Sequence, residues 1–263
     1  ADVIGDTRAL SKVDKMSVPF FKIQFIKSKS GSASESAGGY GGTAKASAAV
    51  AIDALLEGVD ESVFERITNT AYEDLISKLE PAGYSVVGTS ELDSSATYQG
   101  LKTDAFPSVK KKISTYTAQG LRANGNSFTR DRTVSKLSDE LNAPVASVDY
   151  TVDFAAFGRQ TKGGVMGNTT KASAEMTIGQ VAHVWGEISG TAVQTCKVGY
   201  CPAPIFRASL GQAAYSGVEM GTFADTTSTG KSVAVGAANL FSGLMGGGSI
   251  AGSEKTLTAD PQK

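Results

Sequence analysis

The sequence is poor in the residues on which most side-chain chemistry depends: one histidine, two cysteines and one tryptophan in 263 residues. Any Ser-His-Asp, Cys-His or zinc mechanism must therefore run through His183. A structural zinc site needs about four ligands, which one histidine and two cysteines do not supply. Charge of one sign is missing too. Twenty-five basic residues stand against 26 acidic ones, a net charge of −1. That balance leaves no electrostatic footprint for nucleic acid or an anionic membrane surface. The longest basic run, Lys110-Lys111-Lys112, carries no interleaved aromatic and reads as a solvated face. Long apolar runs are also lacking. Residues 232–253 carry no charge, but glycine and serine dilute them too far for a membrane span, so insertion is not expected.

What the chain does have is small residues. Alanine, glycine and serine fill 93 positions, about 35% of the total. With 41% hydrophobic and 19% charged residues the chain can still bury a core and is not disordered by composition. It begins Ala1-Asp2-Val3, as a chain does after an export signal is removed at a small-residue site. Cys196 and Cys201, in Thr-Cys-Lys-Val-Gly-Tyr-Cys-Pro, are spaced for a short disulfide-closed loop with Gly199 at its turn. A disulfide requires an oxidising compartment, so both features lead to one expectation: export to the periplasm, the outer-membrane surface or the medium.

Hydrophobic periodicity predicts an α/β (α+β) fold: a mixed sheet with helices on one face, plus an extended antiparallel β-hairpin or meander and Gly/Ser-rich loops. One domain spanning 1–263 is expected, with an N-terminal arm at 1–15, a Gly/Ser-rich insertion at 28–43 and a Gly-rich C-terminal segment at 232–263. The first strand is 18–26, with Phe21, Ile23 and Phe25 on one face. Residues 44–56 read as helix or strand. A capping box of Ser62 and Glu65 opens a helix over 62–80, and Pro81-Ala82-Gly83 closes it ahead of a short strand at 84–88. A second helix, 133–141, leads into an alternating strand at 145–154. A Gly/Thr loop at 158–170 then joins this to another alternating run at 171–187. Strands are also expected at 207–210 and 215–223.

Candidate chemistry is sparse. Asp225-Thr-Thr-Ser-Thr-Gly230-Lys231-Ser232 approaches a phosphate loop, but Asp225 occupies the first glycine position, where its carboxylate repels phosphate; a polar turn is the better reading. His183 sits two residues from Trp185 on an alternating strand, as a packed structural histidine does. A hydrolytic or binding cleft would draw on His183, Glu175 and Asp153, with Asp149 and Asp153 on the polar face of one strand. No cofactor and no metal is expected.

The helix Ile67-Thr-Asn-Thr-Ala-Tyr-Glu-Asp-Leu-Ile-Ser-Lys-Leu79 followed by Gly83-Tyr-Ser-Val-Val87, and the later Leu141-Asn-Ala-Pro-Val-Ala-Ser-Val148, resemble the periplasmic domain of curli-secretion-channel-like (CsgG-like) proteins. The resemblance covers about half the chain. It implies an α/β domain that works by ring or polymer assembly at the cell envelope and needs no catalytic residue. The expected function is accordingly that of an exported, non-enzymatic structural protein. Its partners would be further copies of itself and cell-envelope components, met through strand edges and through the segments containing Val18 and Phe21 and Val233, Leu240, Phe241 and Leu244. The alternative is a monomeric periplasmic binding module or hydrolase with a cleft near His183.

Overall fold

Bulky β-formers make strands in this chain, and so do its runs of serine, glycine and alanine. The computed structural model describes residues 3–6, 8–10, 13–38, 45–102, 104–122, 132–166, 169–179, 181–191, 205–210, 214–219, 221–227 and 249–259. In chain order the strands are β1 (Val3–Asp6), β2 (Lys15–Ile26), β3 (Ser28–Gly38), β4 (Lys45–Glu57), β5 (Ser85–Val86), β6 (Ser108–Val109), β7 (Ile113–Thr117), β8 (Val145–Asp153), β9 (Ala156–Met166), β10 (Thr169–Gly179), β11 (Val181–Thr191), β12 (Ile205–Leu210), β13 (Ala214–Glu219), β14 (Gly221–Asp225) and β15 (Ser249–Ala259). Four helices accompany them: α1 (Glu61–Leu79), α2 (Thr89–Ser94), α3 (Ala96–Gln99) and α4 (Arg132–Leu141). The fold is mixed α/β, as the periodicity requires, with the helices on one face. Two compact units emerge. The first comprises residues 1–25, 60–152 and 183–215, the second residues 26–59, 153–182 and 216–263.

In the first unit the strand order is β1-β12-β11-β8-β2-β7-β6, with β5 also beside β2. β2 lies inside this sheet, parallel to β8 with Phe21 opposite Val148. Its side chains are therefore covered on both faces, and Val18 and Phe21 are 2% and 1% exposed. That corrects their expected role: they are core residues on an interior strand, not contact residues. Phe25 stacks on Phe64 of α1 at 4.5 Å, and Phe21 meets the edges of Tyr72 and Tyr150 at 5.4 and 5.7 Å. Aromatic pairs of this kind add about 0.5–1.5 kcal/mol each beyond their buried area.

The cap of helix α1 stands two residues earlier than the capping box suggests. It is Asp60, whose carboxylate accepts from the Ser62 amide at 2.8 Å. The helix stops where Gly83 takes φ +93°, a left-handed conformation, and the Tyr84 amide closes back on the Leu79 carbonyl at 3.0 Å. β5 then pairs parallel with β2. Likewise α4 ends at Asn142, φ +44°, and delivers β8, whose first four residues are all buried, so the expected one-sided strand is two-sided there. The N-terminal arm is also a paired element, β1 running antiparallel to β12.

The second unit corrects two expected loops. Residues 28–38 of the Gly/Ser-rich insertion form β3, antiparallel to β4 from Ser28↔Leu55 to Gly38↔Lys45. The ambiguous segment 44–56 is thus strand. Most of the Gly/Thr loop is β9, which forms a hairpin with β10 from Met166↔Thr169 to Ala156↔Gly179. β14, β15, β4 and β3 form one sheet in that order, with β15 parallel to β4. The C-terminal segment therefore ends in an interior strand. Small residues explain why these segments can be strands. Ala33, Ala37, Ala48 and Ala54 are buried, and Cα atoms of β10 come within 8 Å of β3 and β4. Stacked sheets usually stand about 10 Å apart, and alanine at the contact permits the closer approach. Ala54, Phe154, Ala155 and Leu257 close the core, with Ile26, Leu56 and Phe157 packed against them.

Candidate functional site

β3 is the end strand of its sheet among the described residues. The Leu56 amide donates to the Lys27 carbonyl at 2.9 Å, which makes 27↔56 a hydrogen-bonded antiparallel pair. In the unbroken register that follows, residues 29, 31, 33, 35 and 37 turn their amide and carbonyl toward β4. Ser28, Ser30, Ser32, Ser34 and Ser36 consequently turn theirs outward, along the edge. Ser30, Ser32, Ser34 and Ser36 also have exposed side chains. The result is an edge about 11 residues long with no proline and no charge on its serine face.

One ion pair anchors this strand. Lys29 Nζ donates to the Asp153 carboxylate and, at 2.9 Å, to the Ala155 carbonyl, while lying 5.6 Å from the Phe157 ring centroid. Asp153 Oδ1 also accepts from the Ala155 amide at 3.2 Å. Asp153, expected as an acid in a cleft, is thus buried and held by an ammonium group. Glu35, three pleat repeats beyond Lys29, is half-exposed. Sequence reasoning missed Lys29 and Glu35. The available signal was the strict Ser-x-Ser-x-Ser alternation between them, hidden by the low strand propensity of serine and glycine.

In the first unit a small open recess of about 10 Å³, room for about one water molecule, is lined by Phe20, Lys22, Phe106, Thr117, Arg122 and Asp149, among others. Lys22 Nζ pairs with Asp149 at 2.9 Å. Arg122 is fixed by two bonds to Gln99, at 2.9 and 2.8 Å, and by the Tyr98 ring. The recess offers cationic donors and a carboxylate but pairs neither with a histidine or cysteine. Two polar clusters lie elsewhere. Glu61 accepts from the Tyr116 hydroxyl and, at 3.2 Å, from Ser114. Burial and then this bond to Glu61 push the Tyr116 phenol far above its ordinary range. Glu140 accepts from Ser95 at 2.6 Å and from Thr97, and these bonds hold its carboxyl below the usual value.

The remaining expected site residues scatter. Glu175 is on β10, opposite Gln160, in the same unit as Asp153, while His183 is on β11 and in the other unit. The side chains of Glu175 and His183 lie outside the described residues, as do Val233, Leu240, Phe241 and Leu244. The disulfide expected between Cys196 and Cys201 is overturned: the two thiols are not bridged, and both positions lie outside the described residues. A four-residue spacing permits a bridge but does not by itself impose the Cα separation and Cβ orientation that one needs. Asp225, in the phosphate-loop-like segment, is committed to Lys255 at 2.6 Å and to Thr227, which hold its carboxyl well below the usual range. Among the described residues no group of three or more His, Cys, Asp and Glu side chains could hold a metal ion, and no helix is long and apolar enough to cross a membrane.

Comparison with known proteins gives no match among protein-family models, curated proteins or solved structures.

Proposed function

We propose that this chain is an exported, non-enzymatic assembly protein that associates with copies of itself into an oligomer or filament at the cell envelope or outside the cell. The observation that carries the reading is the β3 edge: five serines direct backbone donors and acceptors outward along a long strand, the arrangement that adds strands from another chain. The resemblance of α1 with β5, and of α4 with β8, to curli-secretion-channel-like periplasmic domains supports the same reading. Assembly by strand addition uses main-chain hydrogen bonds and asks for no nucleophile, base or metal. The test is the native mass of undenatured protein by light scattering, with negative-stain imaging of the same sample. Rings, fibres or a mass of several chains are expected; a stable 27.1 kDa species at high concentration refutes the proposal.

The monomeric binding module has one observation on its side, the recess at Lys22, Arg122 and Asp149. It requires a monomeric mass together with a small-molecule thermal shift that Lys22→Met abolishes.

A further inference from the structure

The β3 edge is complementary to itself, and we infer that two copies of this chain pair β3 to β3, antiparallel about a two-fold axis through Ser32. This inference rests on the self-association proposed above and names its contact. The outward backbone groups belong to residues 28, 30, 32, 34 and 36, so a symmetric antiparallel pairing must match even positions with even positions. Centred on Ser32, it places Ser28 opposite Ser36 of the second copy, Ser30 opposite Ser34, and Ser32 opposite itself. The odd positions fall in the non-hydrogen-bonded pairs, where facing side chains are closest. There Lys29 meets Glu35 of the second copy, and by symmetry Glu35 meets the second copy's Lys29. Moving the axis to Ala33 sets Lys29 against Ala37 and Glu35 against Gly31, losing both ion pairs, and moving it to Gly31 sets Lys29 against Ala33 and leaves Glu35 facing Lys27, outside the strand proper. The Ser32 register is the one that matches opposite charges within β3 itself. Lys29 has three donors, and the bonds to Asp153 and Ala155 use two of them. Opposite charges directly across a strand pair favour the register, while like charges there oppose it. The contact is isologous and closes on two copies, so a filament would need a second contact elsewhere.

The test uses the full chain with Cys196→Ser and Cys201→Ser, so that an added thiol is the only one. Ser32→Cys places two thiols face to face on the axis, and a short thiol-to-thiol crosslinker should trap a covalent dimer. Ser28→Cys places them eight residues apart, about 27 Å, and should trap none. Glu35→Lys, which sets lysine against lysine at both ends, should abolish the Ser32→Cys crosslink while leaving the circular dichroism spectrum unchanged. An oligomeric native protein in which Ser32→Cys fails to crosslink, or in which Ser28→Cys crosslinks equally well, overturns the β3 pairing and leaves self-association standing. A monomeric native protein overturns both.

Discussion

Removing the ammonium of Lys29 tests whether Asp153 anchors the edge strand. Lys29→Met keeps a side chain of similar length and deletes the charge that faces a nearly buried carboxylate and the Phe157 ring. Breaking a fully buried pair costs about 3–5 kcal/mol, and an exposed one at most about 1 kcal/mol. The Asp153 side chain is 9% exposed and that of Lys29 31%, so the pair falls between those limits, and about 2 kcal/mol is expected. At a urea dependence of about 2 kcal/mol per molar, that lowers the unfolding midpoint by about 1 M. Asp153→Asn should cost less, about 1 kcal/mol, because Lys29 keeps the Ala155 carbonyl and can reach water. The two changes together should cost less than their sum by about 1 kcal/mol. Because the chain has two compact units its unfolding need not be two-state. Hydrogen exchange on peptides from 28–38 and 153–166 therefore reads the second unit directly, and protection there should fall in step with the urea midpoint. A Lys29→Met midpoint within about 0.3 M of the parent, with protection unchanged in both peptides, would refute the anchoring argument and make the pair an ordinary solvated one.

Three other outcomes follow from the packing and titration of the first unit. A Cβ on Gly190 would stand 2.1 Å from the Val145 carbonyl oxygen and 2.5 Å from Phe206 Cζ. Gly190→Ala should therefore cost about 3 kcal/mol or more in thermal or urea unfolding, and Phe206→Leu should not rescue it, because the Val145 oxygen stays; a parent-like melting temperature would disprove this. Glu140 has its folded pKa depressed below the ordinary 4.5, so its contribution is present above that pH and is lost as the pH falls through the folded value. Glu140→Gln should flatten the acid limb of melting temperature against pH, and a variant that keeps the parent slope contradicts the assignment. Tyr72, Tyr98, Tyr116 and Tyr150 are raised above 10.0, chiefly by burial. Their contribution is present below that pH and lost above it, so phenolate absorbance should show these four of the eight tyrosines ionising late, together with loss of the near-ultraviolet dichroism. One step near pH 10 with the fold intact would rule that out.

The first unit was legible because its elements carry bulky residues at regular spacing. Phe21, Ile23 and Phe25 mark β2, and Phe64 marks the buried side of α1, where Thr68 is buried and Ile67 is 42% exposed against the apolar spacing. Leu137 and Leu141 do the same for α4, and the breaks at Gly83 and Asn142 coincide with positive φ. What the pattern could not give was depth. The alternation of 145–154 reads as a strand with one wet face, yet β8 is flanked by β2 and β11 and buried through Ser147 on its nominally polar side. The same limit applies to Val18 and Phe21. An apolar strand near the N-terminus is equally suited to an edge or an interior position, and the decision rests with β8 and β7, strands more than 80 residues away.

In the second unit the information was present but in the wrong currency. Propensity weighs Gly, Ser and Ala as loop or helix formers, and over 28–38 that weight hides a clean period of two. The period acquires meaning only when another layer is near enough to use it. Ala33 and Ala37 are buried in a layer that β10 approaches within 8 Å, and their small side chains suit that close approach. The same economy of side chain fixes what the strand can do at the edge that none of the described strands pairs. Four exposed serines bury little apolar area, so main-chain hydrogen bonds dominate any pairing there, and such bonds alone hold register weakly. Register must then come from the few charged residues on the strand. Lys29 and Glu35 are those residues, six positions apart and of opposite sign, and they are matched only when the strand meets its own copy about Ser32.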